Sequence, residues 1–333
     1  MDEVNVSTNT TSSEDPGDGV KAVLFNVGIG VVGCLGVAGN ALVCLVFFRV
    51  KSLRTVTNMF ILNQSLIDLT SSFVFVLSYL GTSVDTLPAG LRGTVLCKFW
   101  LSLYPLWSLF DSSSLNLCAI TIERYFAIVH PVLHHNKFDI TKVRIVIPII
   151  WFAGFVNEWF WPYVHYIEGD TCSNQWPSDH LRRFVGVLVF VVEYAFPMTV
   201  FVFCYLKIFL VLRKRANDHK TNSLSSNQGD GMLNKASKNV TKTLCVVVVT
   251  YFLCWTVPSL AYFQNWVFGG PLDWNGDFYK FTVISVFCNV CCNPIIYALM
   301  WDHFRRALKE TFYCNGSRNQ VSPEQSNEAV TRT

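Results

Sequence analysis

Five carboxylates interrupt stretches of this 333-residue chain that are otherwise apolar: Asp68, Asp111, Glu123, Glu158 and Glu193. A charge at the centre of a bilayer costs about 2.5–3.5 kcal/mol on insertion scales, so such a group faces partners rather than lipid. It can pair with a cation, share a proton with a neighbour, or bond buried water. Glu123 is followed by Arg124 and Tyr125. Adjacent residues do not face each other as helix neighbours four apart do. They can still pair at the membrane edge, as a latch, or Arg124 can simply anchor a helix end. Asp68 has polar residues in other apolar stretches as candidate partners: Asn40, Ser113, Asn289 and Asn293. Their oxygens could hold a hydrated Na⁺, the one cofactor candidate, or share hydrogen bonds with water. Asp111, Glu158 and Glu193 could form one acidic cluster for a basic ligand group, or share a proton. No His or Cys spacing resembles a zinc site, because Cys291 and Cys292 are adjacent. No nucleophile motif points to an enzyme.

The elements that position these residues are apolar and long. The chain is 51% hydrophobic and 15% charged, with mean hydropathy +0.35, too apolar for an ordinary soluble domain. Seven stretches, about 22–49, 57–85, 94–128, 142–164, 182–213, 236–266 and 278–300, each exceed the roughly 20 residues a spanning helix needs. The third runs from Cys97 to Arg124, about 40 Å at 1.5 Å per residue, enough to hold one residue at each membrane face. The expected fold is an all-α membrane protein, a seven-transmembrane helix bundle over 22–300 with a short amphipathic eighth helix over 301–313. Six of the 26 Lys and Arg (Lys21, Arg92, Lys98, Arg182, Arg183, Lys280) fall on one side of these spans and 20 on the other. That puts the N-terminus outside and the C-terminus in the cytosol of a plasma-membrane protein.

Residues 1–21 read as an extracellular tail whose Asn5 and Asn9 are glycosylation acceptors. No basic start precedes an apolar run near the N-terminus, so the first span is expected to insert itself. Residues 214–235 are rich in Ser, Asn and Gly and read as a flexible loop. Trp301, Phe304, Leu308 and Phe312 recur at helical spacing among basic residues, as in a helix lying in the interface. Cys314 is a palmitoylation candidate, and 314–333 read as a disordered tail. Cys97 at the outer end of the third span and Cys172 in the loop 165–181 are the natural disulfide pair. Pro197, Pro258 and Pro294 each remove a backbone hydrogen bond within a span and favour kinks.

Gly39-Asn40, Leu66 with Asp68, Glu123-Arg124-Tyr125, Trp151, Pro197 with Tyr205, Cys254-Trp255 and Asn293-Pro294 with Tyr297 stand in order, one set per span. Over about residues 22–314 the chain resembles rhodopsin-like (class A) G protein-coupled receptors. The resemblance implies that Arg124 pairs with Glu123 at rest and contacts Tyr205 and a heterotrimeric G protein when active, with arrestin as a further partner. It implies a sodium pocket of Asp68, Ser113, Asn289 and Asn293, a ligand relay at Trp255 and an inward swing of Tyr297. Two intervals depart from the family pattern: Cys97 to Arg124 is about two residues longer and Trp255 to Pro258 about one, extra length that helices absorb as π-bulges.

Phe287 stands where opsins carry their retinal lysine, six residues before Asn293, which argues against a light receptor. Amine receptors carry an Asp on the third helix; counting from Cys97 gives Tyr104 and counting back from Arg124 gives Leu106. The run CKFWLSLYP resembles neuropeptide receptors of the galanin and allatostatin kind. The candidate pocket residues are Tyr104, Trp107, Asp111, Glu158, Glu193, Trp255, Tyr262 and Phe263. A peptide is the expected ligand, with an amine or other small molecule as the alternative. A transporter is the rival class, and it would carry repeated halves that are not seen here.

Overall fold

The computed structural model describes residues 16–50, 53, 55–81, 86–221, 228–273 and 276–313. Asn5, Asn9 and Cys314 lie outside the described residues. The chain is helical: α1 (Pro16–Arg49), α2 (Val56–Leu80), α3 (Leu91–Val95), a π-helical turn (Leu96–Leu101), α4 (Tyr104–Val129), α5 (Pro131–Lys137), α6 (Ile140–Asn157) and α7 (Phe160–Val164). A two-stranded antiparallel hairpin follows, β1 (His165–Glu168) and β2 (Thr171–Asn174). Then come α8 (Asp179–Val189), a second π-turn (Phe190–Ala195), α9 (Phe196–Thr221), α10 (Gln228–Phe268), α11 (Asp277–Met300) and α12 (Asp302–Tyr313).

Polarity runs inside out. Asn40, Gln64, Asp68 and Asn116 are fully buried, while Phe152, Leu253 and Leu299 are each more than 65% exposed. Lipid, not water, is the solvent that accepts such a surface. Among the described residues, six helices are long and apolar enough to cross a membrane. The 26-residue α4 is not one of them. It is the central helix, packed on α2, α6 and α9, so its polar run Asp111 to Ser114 and Asn116 faces protein rather than lipid.

Small residues let the helices approach. A Cβ on Gly33 or Gly36 would collide with Val76 or Ser72 of α2, and one on Gly154 of α6 would collide with Ser112 of α4. The prolines leave carbonyls without their helical donor, and side chains replace it. Pro258 strands the Cys254 carbonyl, which accepts from Ser285 Oγ at 3.0 Å. Pro294 strands the Val290 carbonyl, which accepts from Asn40 Nδ2 at 3.2 Å.

Several expectations are corrected. The third span is not one helix. Its surplus length is taken up by the π-turn and by a break at Ser102–Leu103, where Leu103 adopts a left-handed φ of 59°. The fourth span runs Ile140–Val164 but is not one helix: Glu158 caps α6, and α7 resumes at Phe160. The surplus residue between Trp255 and Pro258 produces no π-turn; α10 stays α-helical throughout. Residues 214–221 and 228–235, expected as loop, continue α9 and start α10. Arg, Lys and Ala in RKRANDHK are good helix formers, and no Pro or Gly stops them. The loop 165–181 holds the hairpin, joined to the first π-turn by the Cys97–Cys172 disulfide with Cα atoms 5.3 Å apart. The interfacial helix begins at Asp302, not 301; α12 buries Phe304, and Trp301 just before it, against Phe47 of α1, whereas Phe312 stays exposed.

Candidate functional site

At the C-terminal end of α4 the side chains of Glu123 and Arg124 fold back onto each other; this end of the bundle is called inner below. Arg124 donates from Nε to Glu123 Oε2 at 2.7 Å and from Nη2 to Oε1 at 2.6 Å. Two further partners close the carboxylate. Thr57 Oγ1 of α2 donates at 3.0–3.1 Å, and His134 Nε2 of α5 lies 2.7 Å from Oε1. Glu123 is fully buried and the Arg124 side chain is 12% exposed. Tyr125 turns away, its hydroxyl 3.2 Å from His130 Nε2 and its ring against Phe203. Tyr205 packs against the core. Tyr297 is fully buried beside Trp301 and Phe304. Thr57 and His134 escape sequence reasoning because each lies on another helix from Glu123, and nothing in the sequence places either beside it.

Halfway along the bundle Asp68 is fully buried. Its Oδ1 accepts from Gln64 Nε2 and Ser113 Oγ at 3.0 Å each, and its Oδ2 from Asn293 Nδ2 at 2.8 Å. Two of the four expected partners are therefore in contact. Asn40 is not: it bonds the Gly36 and Val290 carbonyls instead. Asn289, also buried, makes no hydrogen bond to Asp68. Gln64 replaces them, one helical turn before Asp68, and it also accepts from Asn116 Nδ2 at 2.8 Å. Asn116 joins Asn63, which Trp151 Nε1 reaches at 3.0 Å. The i, i+4 spacing of Gln64 and Asp68 was a signal available in the sequence.

The opposite end of the bundle, called outer below, holds a cavity of about 360 Å³. Three interruptions of regular helix meet at its wall: the Ser102–Leu103 break, Glu158 at the end of α6, and the π-turn carrying Glu193. Non-helical backbone at membrane depth is tolerated where it lines a cavity. Phe, Trp and Tyr side chains make half of the remaining wall, with Trp107, Trp161 and Tyr262 packed ring on ring. Of the expected pocket residues, Trp107, Glu158, Glu193 and Tyr262 line the cavity. Tyr104, Asp111, Trp255 and Phe263 stand outside its wall. Tyr104 donates to the Phe155 carbonyl at 2.8 Å, and Phe263 packs on Phe190 and Phe268. Trp255 lies deeper, against Phe110 and Tyr251. Phe110 in turn touches Trp107 of the wall, so a chain of three rings runs from the cavity down to Trp255.

Arg182 at the rim is committed: it donates to the Asn265 and Trp266 carbonyls at 3.0 and 2.9 Å and pairs with Asp179. His165, also in the wall, donates from Nδ1 to the Trp161 carbonyl at 2.8 Å. Burial holds its imidazole below the ordinary value, which keeps the ring neutral. Tyr251, which sequence reasoning passed over, donates to the Glu193 carbonyl at 2.7 Å and lies 3.0 Å from Ser114 Oγ. It pins the second π-turn to α4.

A family model, 7 transmembrane receptor (rhodopsin family), matches residues 39–297. Galanin receptor type 1 of Mus musculus is 29% identical over 332 residues, spanning 94% of this chain and 90% of that protein. Somatostatin receptor type 2 of Mus musculus is 25% identical over 300 residues, 84% and 74% of the two chains. Trace amine-associated receptor 2 of Homo sapiens is 28% identical over 310 residues, 87% and 82%. An inside-out bundle, a carboxylate–arginine pair at one end and an aromatic cavity at the other agree with the family match, and the chain belongs to the rhodopsin family of seven-transmembrane receptors.

Proposed function

We propose that this chain is a plasma-membrane receptor that binds a peptide at its outer end and activates a heterotrimeric G protein at its inner end. The observation that carries this reading is the presence, in one bundle, of an aromatic-walled cavity under a disulfide-tied hairpin and of an ion-paired arginine at the opposite end. The galanin and somatostatin receptors among the relatives favour a peptide. An amine is the second reading, favoured by the carboxylates of Glu158 and Glu193 in the cavity wall and by the trace amine-associated relative.

In this reading α4 is the third of seven spans and α12 an eighth, interfacial helix. The distribution of basic residues puts the N-terminus outside. The domain limits are those of a bundle over 22–300 between two tails, with glycans on Asn5 and Asn9 and a lipid on Cys314. Agonist shifts the population toward a state in which α10 swings outward. Arg124 then leaves Glu123 for Tyr205 and the G protein, and Tyr297 turns inward. Trp255 senses occupancy through Phe110 and Trp107. Arrestin would use the same opened cleft. A Na⁺ ion fits beside Asp68, where the carboxylate, Ser113 Oγ and the otherwise unpartnered Asn293 Oδ1 offer oxygens. The ion would supply positive charge there and favour the resting state.

The test is G protein dissociation in cells challenged with a neuropeptide and amine library, with Arg124→Ala beside the natural chain. A peptide response that disappears in Arg124→Ala at equal surface expression is the expected result. A response that survives the substitution overturns the mechanism, and an exclusive amine response selects the second reading.

A further inference from the structure

Two carboxyl groups in the outer cavity wall, Glu158 and Glu193, hydrogen-bond each other, and Glu158 also meets the Trp161 side chain, yet neither has a cation beside it. Glu158 is 1% exposed. Its Oε2, and Oε1 of Glu193, have no hydrogen-bond partner among the described residues. No ion pair among the described residues includes Asp111, Glu158 or Glu193. The cationic side chain in the wall, Arg182, is bound to two carbonyls and to Asp179. Buried carboxylates left in this way are costly, and a fold keeps them when something from outside completes them.

The backbone aims both groups. Glu158 sits where α6 stops, and Glu193 sits on a π-turn, the kind of helix defect that clusters at functional sites. Tyr251 fixes that turn through the Glu193 carbonyl. Ring faces complete the wall. Trp107 and Trp161 stack 6.0 Å apart with 12° between their planes, and an indole face attracts a cation. The cavity, about 360 Å³, admits one side chain or a small molecule and not a folded peptide.

We propose that Glu158 and Glu193 form a seat for a cationic nitrogen group of the ligand, an ammonium or guanidinium, held between the two carboxylates and the indole faces of Trp107 and Trp161. Asp111 lies behind the wall and does not touch the cation. The proposal deepens the receptor reading and rests on it only for where the ligand comes from. A basic side chain of a peptide and a free amine share this chemistry.

The test uses the full chain in lipid nanodiscs and intrinsic tryptophan fluorescence, which needs no G protein. The probes are Nα-acetylarginine amide, its neutral isostere Nα-acetylcitrulline amide, and phenethylamine. The arginine probe is expected to give a saturable change with an apparent Kd at least about tenfold below that of the citrulline probe. Glu158→Gln/Glu193→Gln is expected to bring the two within about twofold. Saturation by phenethylamine alone keeps the seat and assigns its source as a small amine. Equal binding of the arginine and citrulline probes to the natural chain overturns the proposal, whether or not the double variant folds. An undiminished preference in a folded double variant overturns it as well. Failure of G protein coupling with an intact arginine preference would sink the receptor mechanism and leave the seat standing.

Discussion

Glu123 and Glu193 are both carboxylates inside apolar helices, yet the fold treats them in opposite ways. At the inner end Glu123 has an arginine, a threonine hydroxyl and an imidazole around it. At the outer end Glu193 has a free carboxylate oxygen and an aromatic cavity in front of it. A carboxylate whose partners all belong to the chain stores a conformation, because moving any partner exposes a charge. A carboxyl pair whose partners include no cation stores an affinity, because an incoming cation relieves it. Asp68, with three donors, resembles the first kind.

The largest expected effect is on the inner carboxylate. Removing one partner of a buried pair leaves the other charge uncompensated and costs about 3–5 kcal/mol. Glu123→Met is therefore expected to destabilise the chain and to raise basal G protein dissociation, read without ligand in cells matched for surface expression. Unchanged basal activity would mean that the pair does not restrain Arg124. The outer carboxylates should respond with the opposite sign. Even a buried ion pair is often replaced by apolar residues of similar volume at no cost or with a gain of about 1–4 kcal/mol, and Glu158 with Glu193 have no cation's attraction to lose. Glu158→Met/Glu193→Met should thus melt no lower than the natural chain while its response to a basic ligand falls.

Smaller effects sharpen the contrast. His134 is partly exposed, so its contact with Glu123 is worth roughly 0.5–1 kcal/mol. His134→Ala should raise basal signalling less than Glu123→Met does; an equal rise would make the imidazole, not Arg124, the main restraint. The smallest effect lies at Asp139, the N-cap of α6, whose carboxylate accepts from the Lys142 backbone N–H at 2.9 Å. That hydrogen bond, with the Lys142 side chain beside it, holds its carboxyl below the ordinary value. A depressed folded value means its stabilisation is present above the ordinary carboxylate range and lost as pH falls through the folded one. Asp139→Asn should therefore flatten the acid limb of a melting-temperature profile; an identical limb would show that the cap is not titrating.

Much of this contrast was legible in the sequence and part of it was not. The carboxylates stood out because charge inside an apolar run is rare, and Glu123 beside Arg124 named its own partner. The apolar lengths located the helices. The disulfide could be placed because Cys97 and Cys172 fall on the same side of the membrane. What stayed hidden depends on contacts across helices. Gln64, Thr57, His134 and Tyr251 are ordinary polar residues until folding brings them to Asp68, Glu123 and the π-turn. Asn40 was assigned to Asp68 because both are polar and central, but the Pro294 kink claims it through the Val290 carbonyl. The outer defects were hidden for another reason. Length counting revealed surplus residues between Cys97 and Arg124, but counting cannot say whether a helix absorbs them as a π-turn, a break, or, as here, both.

The most direct measurement is thermal unfolding of purified Glu123→Met and Glu193→Met side by side with the natural chain, in the same detergent and without ligand. The account predicts opposite outcomes: a melting temperature several degrees lower for Glu123→Met and an equal or higher one for Glu193→Met. Equal losses in both would contradict it, since they would mean that the outer carboxylate is held from within just as the inner one is.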